Sequence, residues 1–184
     1  SGITRVWLKA NTGMNRLGLN AEAWHEALTA LSAVPNLAIV AMSHLACADE
    51  LDSPVTLKQK SQFDSLLADT GAIRKTLAAS GGILAWPQTH YDIVRPGIML
   101  YGSSPFPFSD EHLRREAFGL HAVMTLQSNL ISIQNCKAGD NVGYCSQFIC
   151  PQDMRIGIVS IGYADGYPSN APNGTPVLIN GKRT

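Results

Sequence analysis

Charged residues are scarce in this chain of 184 residues. Asp, Glu, Lys and Arg make up 15% of the sequence, compared with about 25% in an average globular protein. Fourteen basic residues balance fourteen acidic ones, so the formal net charge is zero. This balance gives no electrostatic reason to expect a nucleic acid or an anionic membrane as a partner. A surface with so little charge favours burial of part of it against another protein subunit.

Long apolar runs are also missing. The longest, from Leu37 to Met42, has six residues, whereas a helix needs roughly 20 apolar residues to cross a bilayer. The visible chain begins at Ser1 without a basic stretch and a following apolar segment, so no export signal is recognised. We therefore expect a soluble, cytoplasmic protein.

The cysteines lack the spacing of a metal site. Cys47, Cys136, Cys145 and Cys150 form no C-x-x-C pair, and the one C-x4-C spacing fits no common zinc pattern. We expect reduced, structural thiols, as is usual inside cells, and no bound metal.

The first half of the chain alternates predicted strands with predicted helices. A strand is predicted over residues 3–9, and apolar residues at helical spacing follow Asn20, which suits a helix N-cap. Leu37 to Met42 is typical of a buried strand. Thr56-x-x-Gln59 has the pattern of a capping box and predicts a second helix. The apolar stripe of this helix is Phe63, Leu66 and Leu67.

A third, shorter unit has predicted strands over 77–80 and 93–101. Strands alternating with helices indicate a parallel βαβ architecture, either a doubly wound sheet or a (β/α)8 barrel.

The pattern changes after residue 117. Alternating apolar residues shift parity near Ser128 and Asn129, which predicts a bulge or bend. A turn over 137–140, a buried strand over 156–161 and another strand over 176–179 follow, with no helical stretch after residue 120. We therefore expect an α/β domain in residues 1–117 and a separate all-β domain in residues 118–184.

Both ends of the chain look cut. Asn180-Gly181 is a strong type I′ hairpin signal, but only three residues follow it. Three or four parallel strands also cannot close a barrel. We interpret the chain as a piece of a longer protein.

Lys9 and Arg16 flank a polar loop after the first predicted strand. In (β/α)8 enzymes such loops build the active site, and an Arg there can bind a substrate carboxylate with two hydrogen bonds. A solvated surface Arg fits this spacing equally well. Lys9 would lose hydration if it pointed into a barrel.

His44 and Ser80 follow the next two predicted strands. A single His in this place is more often structural than catalytic, so both interpretations stay open. The loop Ala79-Ser80-Gly81-Gly82 could hold a phosphate through amides and a hydroxyl, or it could be a simple turn.

Arg95, Gly97 and Tyr163 complete the candidates. Arg95 lies between apolar residues, and a buried Arg needs an acceptor, either a ligand or an Asp. The amide of Gly97 is sterically accessible. Tyr163 lies in a Gly-rich loop, where it could face a cleft or serve only in packing.

Five segments of the sequence, taken in chain order, resemble motifs of the alanine racemase family. They are Lys9-Ala-Asn-Thr-Gly-Met-Asn-Arg16, Ser43-His44-Leu-Ala-Cys-Ala-Asp-Glu50, Ser80-Gly-Gly-Ile83, Val94-Arg95-Pro-Gly-Ile98 and Ile161-Gly-Tyr163-Ala-Asp-Gly-Tyr-Pro168. The resemblance covers nearly the whole chain. It implies a homodimeric isomerase that uses pyridoxal 5'-phosphate (PLP) to interconvert L-alanine and D-alanine, which supplies D-alanine for peptidoglycan. Residues 1–117 would be the later units of a (β/α)8 barrel that binds PLP, and residues 118–184 part of a C-terminal β-domain.

The resemblance also implies roles for single residues. Tyr163 corresponds to a catalytic base that acts on the opposite face of the substrate from a lysine base and reaches the partner subunit's cofactor. Arg95 corresponds to the residue that faces the pyridine nitrogen of PLP. The resemblance implies that Ser80, Gly97 and Ile98 contact the phosphate of PLP.

Three further roles follow from the same resemblance. Arg16 corresponds to the residue that binds the substrate carboxylate. Lys9 corresponds to a lysine that is carbamylated in many members and orients this Arg. His44 corresponds to the residue that stacks near the cofactor ring and hydrogen-bonds to Tyr163.

Departures from the family pattern bear on activity. No Ala-Asn-Ala-Tyr-Gly stretch matches the segment around the family's PLP-binding lysine, so residues 1–184 alone are expected to be inactive. Asn11 stands where Asp is commoner, and Ser169 where an Arg is usual. Two alternatives stay open: a serine or broad-specificity racemase of the same fold, and a non-catalytic module that binds a phosphate-bearing ligand or a partner.

Overall fold

The computed structural model describes residues 2–184 and divides the chain into two compact units. The first unit ends at Met124, and the second runs from Thr125 to Thr184. The first contains parallel strands with helices and the second contains antiparallel strands, which confirms the predicted combination of an α/β part with an all-β part. Across residues 2–184, no helix is both long enough and apolar enough to span a membrane.

The first unit is a three-stranded parallel sheet in the order β1-β2-β3. Its elements are, in chain order, β1 (Arg5–Lys9), α1 (Ala21–Ser32), β2 (Ala38–Met42), α2 (Val55–Leu66), β3 (Arg74–Thr76) and α3 (Ser80–Ala85). In the register, Met42 pairs with Lys9 on one side and with Thr76 on the other. The carboxyl ends of all three strands therefore lie at one edge of the sheet.

Helix α1 begins where the sequence predicts. The side chain of Asn20 accepts a hydrogen bond from the amide of Ala23 at 2.9 Å, which satisfies a first-turn amide that has no helical partner. Trp24 is completely buried, and its indole N–H donates to the carbonyl of Leu8 at 3.2 Å. This contact fixes α1 to β1.

The core of the first unit lies between the sheet and its helices. Its buried members are Leu8, Ala10, Trp24, Ala41, Leu45, Phe63, Leu66, Leu67 and Leu77. The predicted apolar stripe of α2 is part of this core, so the helix is held to the sheet mainly by hydrophobic burial.

Helix α2 starts differently from the prediction. Its N-cap is Pro54, and no side chain caps it, so the predicted capping box is wrong. Thr56 and Gln59 are 0% and 1% exposed, and both bond to the backbone of residues 44–47. The two residues are buried against a loop, so they are unavailable to the amides of the first turn.

The predicted strand over 77–80 is also wrong. Strand β3 ends at Thr76, and Ser80 begins α3. The first turn of α3 packs closely, because a Cβ at Gly82 would lie 2.9 Å from the Cβ of Ala78. The small residues of this segment thus allow a buried helix start.

Residues 93–101 form no continuous strand. Ile93 makes one isolated parallel bridge to Thr76, and Ile98–Tyr101 is a short 3₁₀ helix. Pro96 has no amide hydrogen to donate, so it cannot continue a ladder.

The second unit consists of three separate antiparallel pairs. Its strands are β4 (Leu130–Cys136), β5 (Asn141–Val142), β6 (Phe148–Ile149), β7 (Met154–Val159), β8 (Leu178–Ile179) and β9 (Lys182–Arg183). Strand β4 pairs with β7, β5 with β6, and β8 with β9. The register of β4 shifts between Leu130 and Ser132, shortly after the position of the predicted bulge.

Two predicted turns of this unit are confirmed. The amide of Asp140 donates to the carbonyl of Lys137 at 3.0 Å. Asn180 and Gly181 have φ values of 49° and 78°, both positive as a type I′ turn requires, and they join β8 to β9.

The predicted burial of residues 156–161 is wrong. Strand β7 forms over Met154–Val159, but Ile158 and Val159 are 39% and 48% exposed. The sheet that contains β7 has only two strands, so its own unit offers few neighbours that could cover them.

Candidate active site

The candidate residues of the first unit lie at or just after the carboxyl ends of the strands. Lys9 is the last residue of β1, and His44 follows β2 closely. Ser80 follows β3, and Arg95 follows the bridge that Ile93 makes to β3. Since these ends share one edge of the sheet, the topology brings the four residues to the same side.

The guanidinium of Arg95 is held at four points. Its Nε donates to the Oγ1 of Thr76 at 3.1 Å. Its Nη2 donates to the carbonyl of Ser43 and, at 2.9 Å, to the carbonyl of Leu77. Its Nη1 lies 3.1 Å from the Nδ1 of His44. Burial lowers the pKa of Arg95, but an arginine keeps its charge in a protein. The site therefore holds a fixed cation whose four acceptors include no carboxylate.

The contact between Arg95 and Nδ1 sets the tautomer of His44. Arg95 has no lone pair to offer, so Nδ1 of His44 accepts the hydrogen bond and the ring proton lies on Nε2. Burial lowers the pKa of His44, and the cations of Arg95, Lys9 and Arg16 lower it further. His44 is therefore a neutral imidazole at neutral pH, with its N–H directed away from Arg95.

Lys9 and Arg16 add positive charge to the same edge. Burial lowers the pKa of Lys9, as do the charges of Arg16 and Arg95. Arg16 itself is exposed. Across residues 2–184, none of the ion pairs involves these three cations. The site concentrates positive charge without an internal carboxylate, which suits an anionic ligand.

Asn11 shapes the loop between Lys9 and Arg16. Its Oδ1 accepts from the amides of Gly13 and Asn15, both at 3.1 Å, and its Nδ2 donates to the Oδ1 of Asn15 at 2.9 Å. An Asp could accept the first two bonds but could not donate the third. The Asn at this position therefore restrains the loop more than an Asp would.

Two buried hydroxyls join this loop to the end of β2. The Oγ1 of Thr12 and the Oγ of Ser43 are 2.7 Å apart, and Ser43 donates to the carbonyl of Ala10 at 2.9 Å. Because Ser43 uses its only proton on Ala10, Thr12 is the donor to Ser43. Gly18 closes the loop with φ of 119°, where a Cβ would lie 2.7 Å from the backbone of Ala10.

Ser80 lies beside the other predicted phosphate contacts. Its hydroxyl accepts from the amides of Gly97 at 3.0 Å and Met99 at 3.3 Å. The amide of Ile98 donates to no acceptor within residues 2–184. The structure thus brings Ser80, Gly97 and Ile98 together, although the segment that starts at Ser80 is a helix start and was predicted as a loop.

Ser43 and Thr76 contribute to the site and were not predicted. Both bond directly to Arg95, and both are fully buried. One signal could have found them: each is a polar residue at the carboxyl end of a strand in a parallel unit, where a polar side chain or carbonyl can face a site.

Tyr163 belongs to the second unit. It opens a short 3₁₀ turn, Tyr163–Asp165, in which the carboxylate of Asp165 accepts from the amide of Gly162 at 3.0 Å. The side chain of Tyr163 is 70% exposed. It is therefore not a packing residue of its own unit.

Comparison with known proteins assigns the chain to a family. Residues 2–105 match the model of the alanine racemase N-terminal domain, and residues 123–184 match the model of the alanine racemase C-terminal domain. The chain belongs to the alanine racemase family. The resemblance found in the sequence motifs is thus confirmed, and the fold is the later part of a (β/α)8 barrel followed by part of the family's C-terminal domain.

Individual relatives agree with this assignment. The alanine racemase of Edwardsiella ictaluri (strain 93-146) is 50% identical over 181 residues, which cover 97% of this chain and 49% of that protein. The crystal structure of biosynthetic alanine racemase from Pseudomonas aeruginosa has a TM-score of 0.88 and 41% identity, over 99% of this chain and 51% of that chain. Alanine racemase from Bartonella henselae, crystallised with covalently bound pyridoxal phosphate, has a TM-score of 0.77 and 29% identity, over 97% of this chain and 48% of that chain. The chain spans about half the length of the relatives it matches.

Proposed function

We propose that the full-length protein containing this chain interconverts L-alanine and D-alanine, with PLP as its cofactor. The observation that carries the proposal is Arg95, a cation fixed at four points beside a neutral His44 at the strand ends. Membership of the alanine racemase family supports the same reaction. We further propose a cytoplasmic homodimer, and the four free thiols fit a reducing compartment.

The donors at the strand ends fit a phosphorylated pyridine. When bound, PLP supplies a ring that delocalises the electron pair of the substrate's Cα–H bond. The hydroxyl of Ser80 accepts from two amides, so its own proton is free to be donated to a phosphate oxygen. The unpaired amide of Ile98 is a second donor of the right kind. Arg95 would face the pyridine nitrogen, where a permanent cation disfavours protonation and so restrains side reactions.

Lys9 and Arg16 fit the substrate carboxylate. Arg16 can offer a carboxylate two parallel hydrogen bonds. The lowered pKa of Lys9 raises its fraction of neutral amine, the form that combines with carbon dioxide. In that reaction the amine nitrogen bonds to the carbon of carbon dioxide and loses a proton, which leaves an anionic carbamate. The carbamate would pair with Arg16 and orient it.

Tyr163 is the base we assign to one face of the substrate. Inversion at Cα needs one group that removes the proton and another that returns a proton on the opposite face. The other group is the lysine that the family carries on its first barrel strand, a segment with no match in residues 1–184. In the proposed homodimer, the Nε2–H of His44 would donate to the phenol oxygen of the partner subunit's Tyr163 and hold it in place.

The test compares Tyr163→Phe with a matched control, Tyr167→Phe, in the full-length protein. We expect Tyr163→Phe to lower the rate of D-alanine formation from L-alanine by at least about 100-fold, with PLP content unchanged, and Tyr167→Phe to keep most of the activity. Unchanged racemisation in Tyr163→Phe would remove this residue from the mechanism. Rates on serine and lysine, measured beside alanine, decide between an alanine enzyme and a broad-specificity racemase.

Residues 1–184 alone should not racemise alanine when PLP is added, because the chain lacks one of the two bases. The measurement is D-alanine formation by the purified chain. Turnover by this sample would show that the argument from the missing lysine is wrong.

A further inference from the structure

One face of α2 carries polar side chains where an apolar stripe would be expected. Gln59 and Thr56 are 1% and 0% exposed, and they lie one turn apart on the side that meets the loop after β2. Buried polar groups are kept only when they are hydrogen-bonded. Their partners therefore show what this face of the helix does.

All partners of Gln59 and Thr56 lie in the loop that carries His44. The Nε2 of Gln59 donates to the carbonyl of His44 at 3.0 Å, and its Oε1 accepts from the amide of Ala46 at 2.8 Å. The Oγ1 of Thr56 donates to the carbonyl of Cys47 at 3.0 Å. Side chains of α2 thus bond to three backbone groups of this loop, the carbonyls of His44 and Cys47 and the amide of Ala46.

Both the amino group and the oxygen of the Gln59 side-chain amide are hydrogen-bonded. A Glu would have no donor for the carbonyl of His44, and a Met would have neither donor nor acceptor. Only a primary amide of this length bonds to both positions at once. The choice of Gln is thus explained by the backbone of residues 44 and 46.

His44 is consequently fixed from two directions. Arg95 holds the ring through Nδ1, and Gln59 holds the backbone carbonyl of the same residue. A ring bonded at one nitrogen alone can still pivot if its Cα moves. With the backbone fixed as well, the direction of the Nε2–H is determined.

We propose that Gln59 is a positioning residue for the reaction, which aims the Nε2–H of His44 by fixing the backbone of its loop. The catalytic consequence rests on the proposed function, because it assumes that this N–H donates to Tyr163 of the partner subunit. The geometric consequence, a fixed and partly desolvated His44, does not depend on that function.

The experiment uses Gln59→Met in the full-length protein, with Gln62→Met as the matched control. Gln62 lies on the same helix but is exposed, and it makes no hydrogen bond within residues 2–184. Met keeps the length of Gln and removes both bonds. We expect Gln59→Met to lower kcat for alanine by about 10- to 100-fold, as misplacement of a catalytic group does, with KM within about twofold of the wild type. Gln62→Met should change neither.

A second readout does not require activity. The pKa of His44 is measured by NMR on histidine-labelled protein, with the signal assigned by its loss in His44→Gln. In the wild type, burial and the facing cations Arg95, Lys9 and Arg16 hold this pKa below 6.5. In Gln59→Met we expect it to rise toward 6.5, because a loosened His44 gains water and moves away from Arg95.

Gln59→Asn covers the case in which the Met variant does not fold. Its amide is one methylene shorter and reaches at most one of the two partners, so kcat and the pKa of His44 should lie between wild type and full loss. A pKa of His44 that stays at its wild-type value in a folded variant with reduced kcat would overturn the positioning role. If the wild type forms no D-alanine, the proposed function fails, and the shift of the His44 pKa still tests the geometry.

Discussion

Replacing Arg95 with Met would remove a guanidinium that ties together three segments of the first unit. Four of its five N–H groups are directed at Thr76, His44 and the carbonyls of Ser43 and Leu77. Met fills part of the same space but donates nothing, so every one of these acceptors loses its partner.

The cost follows from how deeply the acceptors are buried. Ser43 and Leu77 are 1% and 0% exposed, and an unsatisfied buried acceptor costs about 1–3 kcal/mol. Arg95 itself is only half-buried, so water can reach part of the space it leaves. We therefore expect the free energy of unfolding to fall by about 3 kcal/mol. For a domain of this size, that is a fall in Tm of about 6–12 °C.

The assay is thermal unfolding of the full-length protein without added ligand, beside an Arg74→Met control. Arg74 is exposed on β3, and its loss should cost no more than about 0.5 kcal/mol. NMR provides a second check, because removing the Arg95 charge should raise the pKa of His44 while burial still holds it below 6.5. Equal melting temperatures for the Arg95 and Arg74 variants would show that the four hydrogen bonds do not hold this site together.

Three further predictions concern the same unit. Because the fold lowers the pKa of His44 below 6.5, the unfolded chain binds more protons as pH falls through 6.5. Stability should therefore decrease there, and His44→Gln should reduce this slope in urea titrations. Ser80→Ala should weaken PLP binding by about 10- to 100-fold through loss of a hydrogen bond to a charged group. Ser61→Ala, on an exposed face of α2, should leave the affinity for PLP unchanged. Equal affinities of the two variants for PLP would exclude Ser80 from the phosphate site. Gly18→Ala should lower the free energy of unfolding by about 2 kcal/mol, because φ is 119° and the new Cβ would lie 2.7 Å from the backbone of Ala10. The control is Gly71→Ala, where φ is also positive, at 69°, but nothing lies within 4 Å of a Cβ. Its loss should be smaller, and equal losses in both variants would contradict the predicted clash.

The sequence predicted the first two strands and the first helix well, because their apolar residues follow strand and helix spacing closely. Strand β3 was missed since its residues, Arg74, Lys75 and Thr76, are all polar. It forms because it pairs with the parallel edge of β2. This is a tertiary interaction, which the local spacing of apolar residues cannot predict. The apolar run that suggested a strand, Leu77 onward, lies just beyond the end of the sheet.

The error at Thr56 and Gln59 has a related cause. A Thr followed three residues later by Gln is equally compatible with capping the helix and with reaching out to another segment. The deciding fact is that both side chains are buried against residues 44–47, and burial depends on where that loop lies. The positions of candidate site residues after strands were predictable from the βαβ order alone, whereas the bonds of Arg95 to residues 43, 76 and 77 required the fold.

The charges at the strand ends connect the fold to the proposed chemistry. Lys9, Arg16 and Arg95 lie close enough for the other two to lower the pKa of Lys9, so three like charges in one place oppose one another. A bound anion would relieve this repulsion, and the proposed ligands alanine and PLP each carry one, as a carboxylate and a phosphate. The carbamylation of Lys9 that we propose would relieve it further by turning one of the three positive charges negative. A permanent Asp at the position of Lys9 would have a shorter reach toward Arg16. A lysine whose pKa is lowered in the fold could instead acquire its negative charge at the end of a long side chain, where it would orient Arg16 for the proposed substrate.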